Sequence, residues 1–150
     1  NRDVRFSKDK TPYNTHLHMM WPVEGGARQD PALFFGIGLD YATVGAGLMG
    51  FDKAVLEDWR KLADGDAGFL RGPLNAAQAK GYTLREPELK RVPKPYAPDH
   101  PAGDLLRHKS IVVTGELGNS AALPDDLMAG FADLWPVADM LLGVAEASAL

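Results

Sequence analysis

The run from Leu33 to Met49, LFFGIGLDYATVGAGLM, constrains this chain more than any other stretch. It is apolar almost throughout, yet it carries glycine in both halves. Glycine is a poor helix residue, and the flanking Phe, Ile, Tyr and Val favour a pleated backbone. The run therefore reads as two strands, Leu33–Tyr41 and Val44–Met49, with Ala42-Thr43 as a tight connection. Glycines inside strands mark bulges or close backbone approach. An apolar hairpin must bury a face against something. The next residues supply it. Asp52 is a suitable N-cap for a helix over Lys53–Ala63, whose Val55, Leu56, Trp59 and Leu62 fall at helical spacing. A second helix is expected over Ala67–Lys80, closed by Gly81, with Pro73 breaking or offsetting its first turn.

Elsewhere the signals alternate in kind. Asn1–Phe6 reads as a strand, Ser7–Pro12 as a loop, and Tyr13–Trp21 as a short strand or a bend. Glu24–Pro31 is turn-rich around Gly25-Gly26. Tyr82–Arg91 is extended and highly charged, as an edge strand or charged hairpin would be. Pro93, Pro95, Pro98 and Pro101 enforce irregular backbone, and a short helix beginning near Pro101 or Ala102 carries Leu105 and Leu106. Ile111–Leu117 is a β-branched strand, followed by a loop over Gly118–Leu123. A long helix is expected over Pro124–Leu150, with Asp125 and Asp126 in its first turn. Its apolar stripe is Leu127, Phe131, Leu134, Ala138, Leu141 and Ala145, and Pro136 should kink it near Ala132. The sum is a single α+β domain over residues 1–150, an antiparallel sheet with a glycine-rich hairpin covered by helices. The absence of an initiator Met suggests the larger part of a longer chain.

Composition narrows the function classes. Sixteen Gly and eleven Pro exclude an all-helical bundle. No cysteine is present, which removes disulfides, thiolate metal sites and a cysteine nucleophile and fits the cytoplasm. The net charge of −4 argues against a general nucleic-acid coat, while leaving a local basic patch open. No continuous apolar run of ~20 residues is evident, so no membrane span is expected.

Several motifs need weighing. Gly45, Gly47 and Gly50 form G-x-G-x-x-G, with Asp64 and Asp66 about twenty residues on. A dinucleotide site needs the helix to open within the glycines, so that its N-terminus meets pyrophosphate. Here the cap is Asp52, after the last glycine, and its carboxylate would repel phosphate. A glycine-rich hairpin is the better reading. His16 and His18 would share a strand face and are the candidates for a metal, but no third ligand stands at a recognisable spacing. No metal or other cofactor is expected. Ser7, Ser110 and Ser120 carry no signature of an activated nucleophile, and no G-x-S-x-G, P-loop or H-E-x-x-H sequence occurs.

Polar chemistry is densest in Asn1–His16, which holds Arg2, Arg5, Lys8, Lys10, Asp3 and Asp9. Arginine suits bidentate binding of phosphate or carboxylate. Asp3 and Arg5 on one strand face would equally suit a fold-stabilising ion-pair network.

The run R-D-V-R-F-S-K-D-K-T-P-Y resembles the signature of the domain of unknown function numbered 2461, a family of uncharacterised bacterial and fungal proteins. Arg2, Asp3, Arg5, Phe6, Asp9, Lys10 and Tyr13 match it, and its leading Arg would fall before Asn1. Leu89–Ser110 (LKRVPKPYAPDHPAGDLLRHKS) resembles a second block of that family, with Pro95 in place of an expected Gly. The resemblance implies a mixed α/β fold and no particular activity. It adds Arg107, His108, Lys109 and His100 as candidates to complete a cleft.

Three functions follow as expectations. The first is binding of a small anionic ligand by Arg2, Arg5, Lys8, Lys10 and Arg107. The second is a phosphoester hydrolase using Asp3 with His16 or His100. The third is a non-catalytic interaction protein, possible as a homodimer through its apolar C-terminal helix, whose Arg-Asp-Arg motif is architectural. Whether the chain is an enzyme stays open at this point.

Overall fold

The computed structural model describes residues 16–23, 29–38, 41–117 and 123–148. Strands β1 (His16–Pro22), β2 (Ala32–Gly38) and β3 (Ala42–Leu48) precede helices α1 (Lys53–Gly65) and α2 (Ala67–Ala79). Then come β4 (Thr83–Leu84), α3 (Gly103–Leu106), β5 (Ile111–Glu116) and α4 (Leu123–Ser148). The five strands form one antiparallel sheet in the order β1-β2-β3-β5-β4. The α+β architecture is therefore the one expected.

The hairpin differs in its corner. Ala42 and Thr43 belong to β3, opposite Ile37 and Gly36. The turn closes where Gly38 N–H donates to the Tyr41 carbonyl at 2.9 Å. Ala42 is buried on the helix-facing side, where a turn residue would not be. The glycines of the G-x-G-x-x-G run serve the sheet. A Cβ at Gly45 would collide with the Phe34 ring, its cross-strand partner. A Cβ at Gly47 would meet the Ile111 carbonyl and lie 2.9 Å from Val112 Cα. Gly50 adopts φ 64° at the turn into α1, which favours glycine. Gln29 spans that turn, donating to Gly50 O at 2.7 Å and accepting from Asp52 N–H at 2.9 Å. Asp52 caps α1 by accepting from Val55 N–H at 2.9 Å, as its position predicts.

Val44, Ala46 and Leu48 point to one face, with Ile111 and Val113 beside them, and α4 lies across that face. Close approach is possible because α4 carries Gly130, where a Cβ would come within 2.9 Å of Val44 Cγ1. Helices α1 and α2 pack on the outer side of α4. Two-sided packing explains why burial on α4 exceeds the expected stripe. Leu134, Ala138, Leu141 and Ala145 are sealed, and so are Val137, Met140 and Val144. Leu127 and Phe131 are only partly buried. Pro124–Ala147 is long and apolar enough to cross a membrane by length and composition, contrary to the expectation that no segment reaches that limit. Leu134, Val137, Leu141 and Val144 are held between the sheet and α1 and α2, whereas Met128 and Trp135 are exposed.

Neither internal proline ends its helix. Pro73 sits inside α2 and Pro136 inside α4. The carbonyls they deprive of an N–H partner belong to Phe69 and Ala132, both exposed, so water can satisfy them. Tyr82 staples β4 to α4, donating to Asp133 Oδ2 at 3.0 Å, while Lys80 Nζ lies 3.3 Å from Asp133 Oδ1. Burial, then the Asp133 contact, pushes the Tyr82 phenol up to about 12.

Candidate functional site

Beyond Leu84 the charged stretch leaves the sheet. Only Thr83 and Leu84 pair with β5, although Arg85 N–H still donates to Val112 O at 2.9 Å. Pro87 lacks an N–H, so the ladder cannot continue. The chain then makes a long excursion and returns at Ser110. Long segments with little regular structure inside a domain often carry binding sites.

Polar contacts close the base of the excursion. Leu89 N–H donates to Arg107 O at 3.0 Å. Lys109 N–H donates to Glu88 Oε1 at 2.9 Å, and the Ser110 hydroxyl donates to Glu88 Oε2. Burial would raise the Glu88 carboxyl, but these hydrogen bonds outweigh it and hold the group below its ordinary range. His108 is sealed beside them, with Nδ1 donating to Ser110 O at 3.2 Å. Burial lowers its pKa, against the opposing pull of the Glu88 charge. Serine, histidine and carboxylate thus lie together, but not as a nucleophilic triad. The hydroxyl is bonded to the carboxylate and the imidazole to a carbonyl.

The far part of the excursion is pinned to α1 and α2. Prolines deny it a ladder, so single turns organise it. Tyr96 N–H donates to Pro93 O at 3.1 Å, His100 N–H to Ala97 O at 3.0 Å and Gly103 N–H to His100 O at 2.9 Å. Ala102 N–H donates to His100 Nδ1 at 2.9 Å, which places the ring hydrogen on Nε2. Nε2 donates to Asp64 Oδ1 at 2.8 Å. Arg71 grips Asp104 with both nitrogens, at 2.9 and 2.8 Å, and reaches Pro101 O at 3.2 Å. The hydrogen bond from Arg71 lowers the Asp104 pKa, and the same bond raises that of Arg71. Beneath, the buried Trp59 indole donates to Leu105 O at 2.8 Å.

These pins leave an open cavity of about 860 Å³. Lys90, Arg91, Lys94 and Arg107 line it, with Tyr96 and Asp104. The four cations form no ion pair among the described residues, whereas Asp104 is held by Arg71. Fixed positive charge in a concave surface raises the local concentration of anions.

Of the residues singled out from the sequence, His100 and Arg107 line this cavity. His100, a candidate for chemistry, has both ring nitrogens engaged, so it acts on the loop rather than on a substrate in this arrangement. His16 and His18 lie on edge strand β1, paired with Gly38 and Gly36. Their strand stands at the opposite edge of the sheet from β4, four strand spacings of about 4.8 Å away. Asp3, Arg2, Arg5, Lys8 and Lys10 lie outside the described residues. Among the described residues, no cluster of three or more His, Asp or Glu side chains is placed to hold a metal. Lys90, Arg91 and Lys94 were passed over in the sequence, where they read as the end of a charged strand and the start of an irregular segment. Their signal was the interleaving of cation and proline in KRVPKP, which keeps cations off any sheet or helix surface.

Fold and cleft together define an α+β domain with a cationic surface site carried on a pinned loop. By sequence, residues 1–142 match the model of the family described as conserved hypothetical protein DUF2461, and the chain belongs to that family. Neither the curated proteins nor the solved structures contain a significant match.

Proposed function

We propose that the protein binds a small anionic ligand, bearing phosphate or carboxylate groups, in the cleft of the 88–110 excursion. One observation carries this reading. Four cations line one concavity with no acidic partner among the described residues, and the carboxylate in the same wall is already neutralised by Arg71. Gathering like charges is unfavourable unless something offsets it, and a ligand anion does so. Arg91 and Arg107 offer forked donors, and Lys90 and Lys94 offer mobile point charges. Binding is favoured over hydrolysis because, among the described residues, the wall offers no free carboxylate or imidazole. His100 is tied at both nitrogens and Asp104 is bonded twice.

The test is thermal unfolding in phosphate against chloride at constant ionic strength. At a ligand concentration of about 100 Kd, binding adds about 2.7 kcal/mol, or roughly 5–10 °C in a chain this size. Arg107→Gln with Lys94→Gln should remove most of that rise while leaving the ligand-free melting temperature in place. No rise at millimolar phosphate, carboxylates or phosphate esters would overturn the reading.

A further inference from the structure

We infer that the ligand is a nucleoside polyphosphate, its phosphates on the cations and its base against Tyr96. This rests on the anion-binding reading and deepens it. Charge is the first argument. The wall presents four cations and one neutralised carboxylate, so a ligand with one negative charge would leave most of the positive charge uncompensated. A di- or triphosphate matches it. Size is the second. An 860 Å³ cleft lies in the range that holds drug-sized molecules, far beyond a bare phosphate.

The third argument is the division of the lining. Cations occupy part of the wall, and Val92, Tyr96 and Pro98 supply an apolar part. A purely inorganic anion has no use for the second. Tyr96 is half-buried, and its ring is set edge-on to His100, with centroids 6.0 Å apart and planes at 89°. His100 is itself fixed by Asp64 and by Ala102 N–H. The ring orientation is therefore established before any ligand arrives. A planar base can stack on such a ring without sequence-specific hydrogen bonds. Single-stranded nucleic acid offers the same phosphate-and-base chemistry. The net charge of −4 favours a free nucleotide over a strand, whose further phosphates would meet the acidic remainder of the surface.

Calorimetric titration of the wild-type chain with inorganic phosphate, inorganic tripolyphosphate, adenosine triphosphate and a short single-stranded oligonucleotide separates these possibilities. Adenosine triphosphate should bind about tenfold tighter than tripolyphosphate, the order expected from one stacked base. Tyr96→Leu should erase that difference and leave tripolyphosphate affinity alone, and Tyr96→Phe should preserve it. Equal affinity for tripolyphosphate and adenosine triphosphate in the wild type overturns the nucleotide assignment and leaves the anion cleft standing. Tighter binding of the oligonucleotide overturns the free nucleotide as the ligand. Failure of every anion to bind overturns both this inference and the reading beneath it.

Discussion

The glycine-rich hairpin and the proline-rich excursion are both built from residues that interrupt regular structure, yet they meet opposite fates. In β3, Gly45 and Gly47 give up side chains so that Phe34 and the β5 backbone can close in. Glycine keeps its N–H, and the strand stays paired with β2 over Ala42–Gly47 and with β5 over Thr43–Leu48. Between Glu88 and Ser110 the prolines give up N–H groups, so that no neighbour can pair with them in register. Side chains must do the fixing instead: Glu88 at the base, His100 and Arg71 farther out. Packing thus holds the hairpin throughout, whereas the excursion is anchored by Ala102, Leu105 and Leu106 in the core and by a few polar pins. The second arrangement leaves an open cleft, because the 90–98 part is fixed at its ends without being covered.

Substitution should expose this difference. Gly47→Val should have the largest effect, because its Cβ meets β5 backbone that cannot move aside. A cost of about 3 kcal/mol is expected, read as one cooperative shift of the whole denaturation curve. Glu88→Ala should cost less, about 2 kcal/mol, chiefly by leaving the Ser110 hydroxyl without its acceptor. Its signature is regional. Hydrogen exchange should quicken across 89–107 while β2 and β3 keep wild-type protection. If Glu88→Ala loosens the whole sheet equally, the excursion is no separate unit and the contrast fails.

The smallest effect should come from pH. His108 has a folded pKa below its unfolded value near 6.5, so the folded state holds fewer protons. Stability is then complete above about pH 6.5 and declines as pH falls below it. Glu88 and Asp104, also lowered, extend the loss at pH values below the ordinary carboxylate range. Denaturation midpoints measured from pH 7.5 to 5 should fall in the wild type and stay nearly flat in His108→Gln. A His108→Gln curve that falls as steeply would remove the buried imidazole as the cause.

Much of the architecture was legible because its causes are local. Asp52 caps its helix through an N–H three residues on, Val55 and Trp59 share one helical face, and the apolar spacing in α4 is visible in a single window. The structural role of Gly45 and Gly47 was legible in part, since Asp52 stands where a phosphate site needs an uncharged helix start. The corner of the hairpin was misplaced by a few residues, because Ala42-Thr43 suits a turn and a small-residue strand alike.

The cleft was only half legible. Its cations could be seen in the sequence, but not that they stay unpaired among the described residues. Asp104, the carboxylate in the same wall, is taken by Arg71 across 33 residues. The N-terminal charges, the densest polar run in the sequence, lie outside the described residues. The sequence by itself determined which segments are helix, strand and proline-bound loop, since those follow from neighbours a few residues apart. Only the tertiary structure decided which charges neutralise one another and which, among the described residues, stay unpaired. Pairing of charge depends on proximity in space, and nothing local specifies that Asp104 meets Arg71 while Arg107 meets solvent.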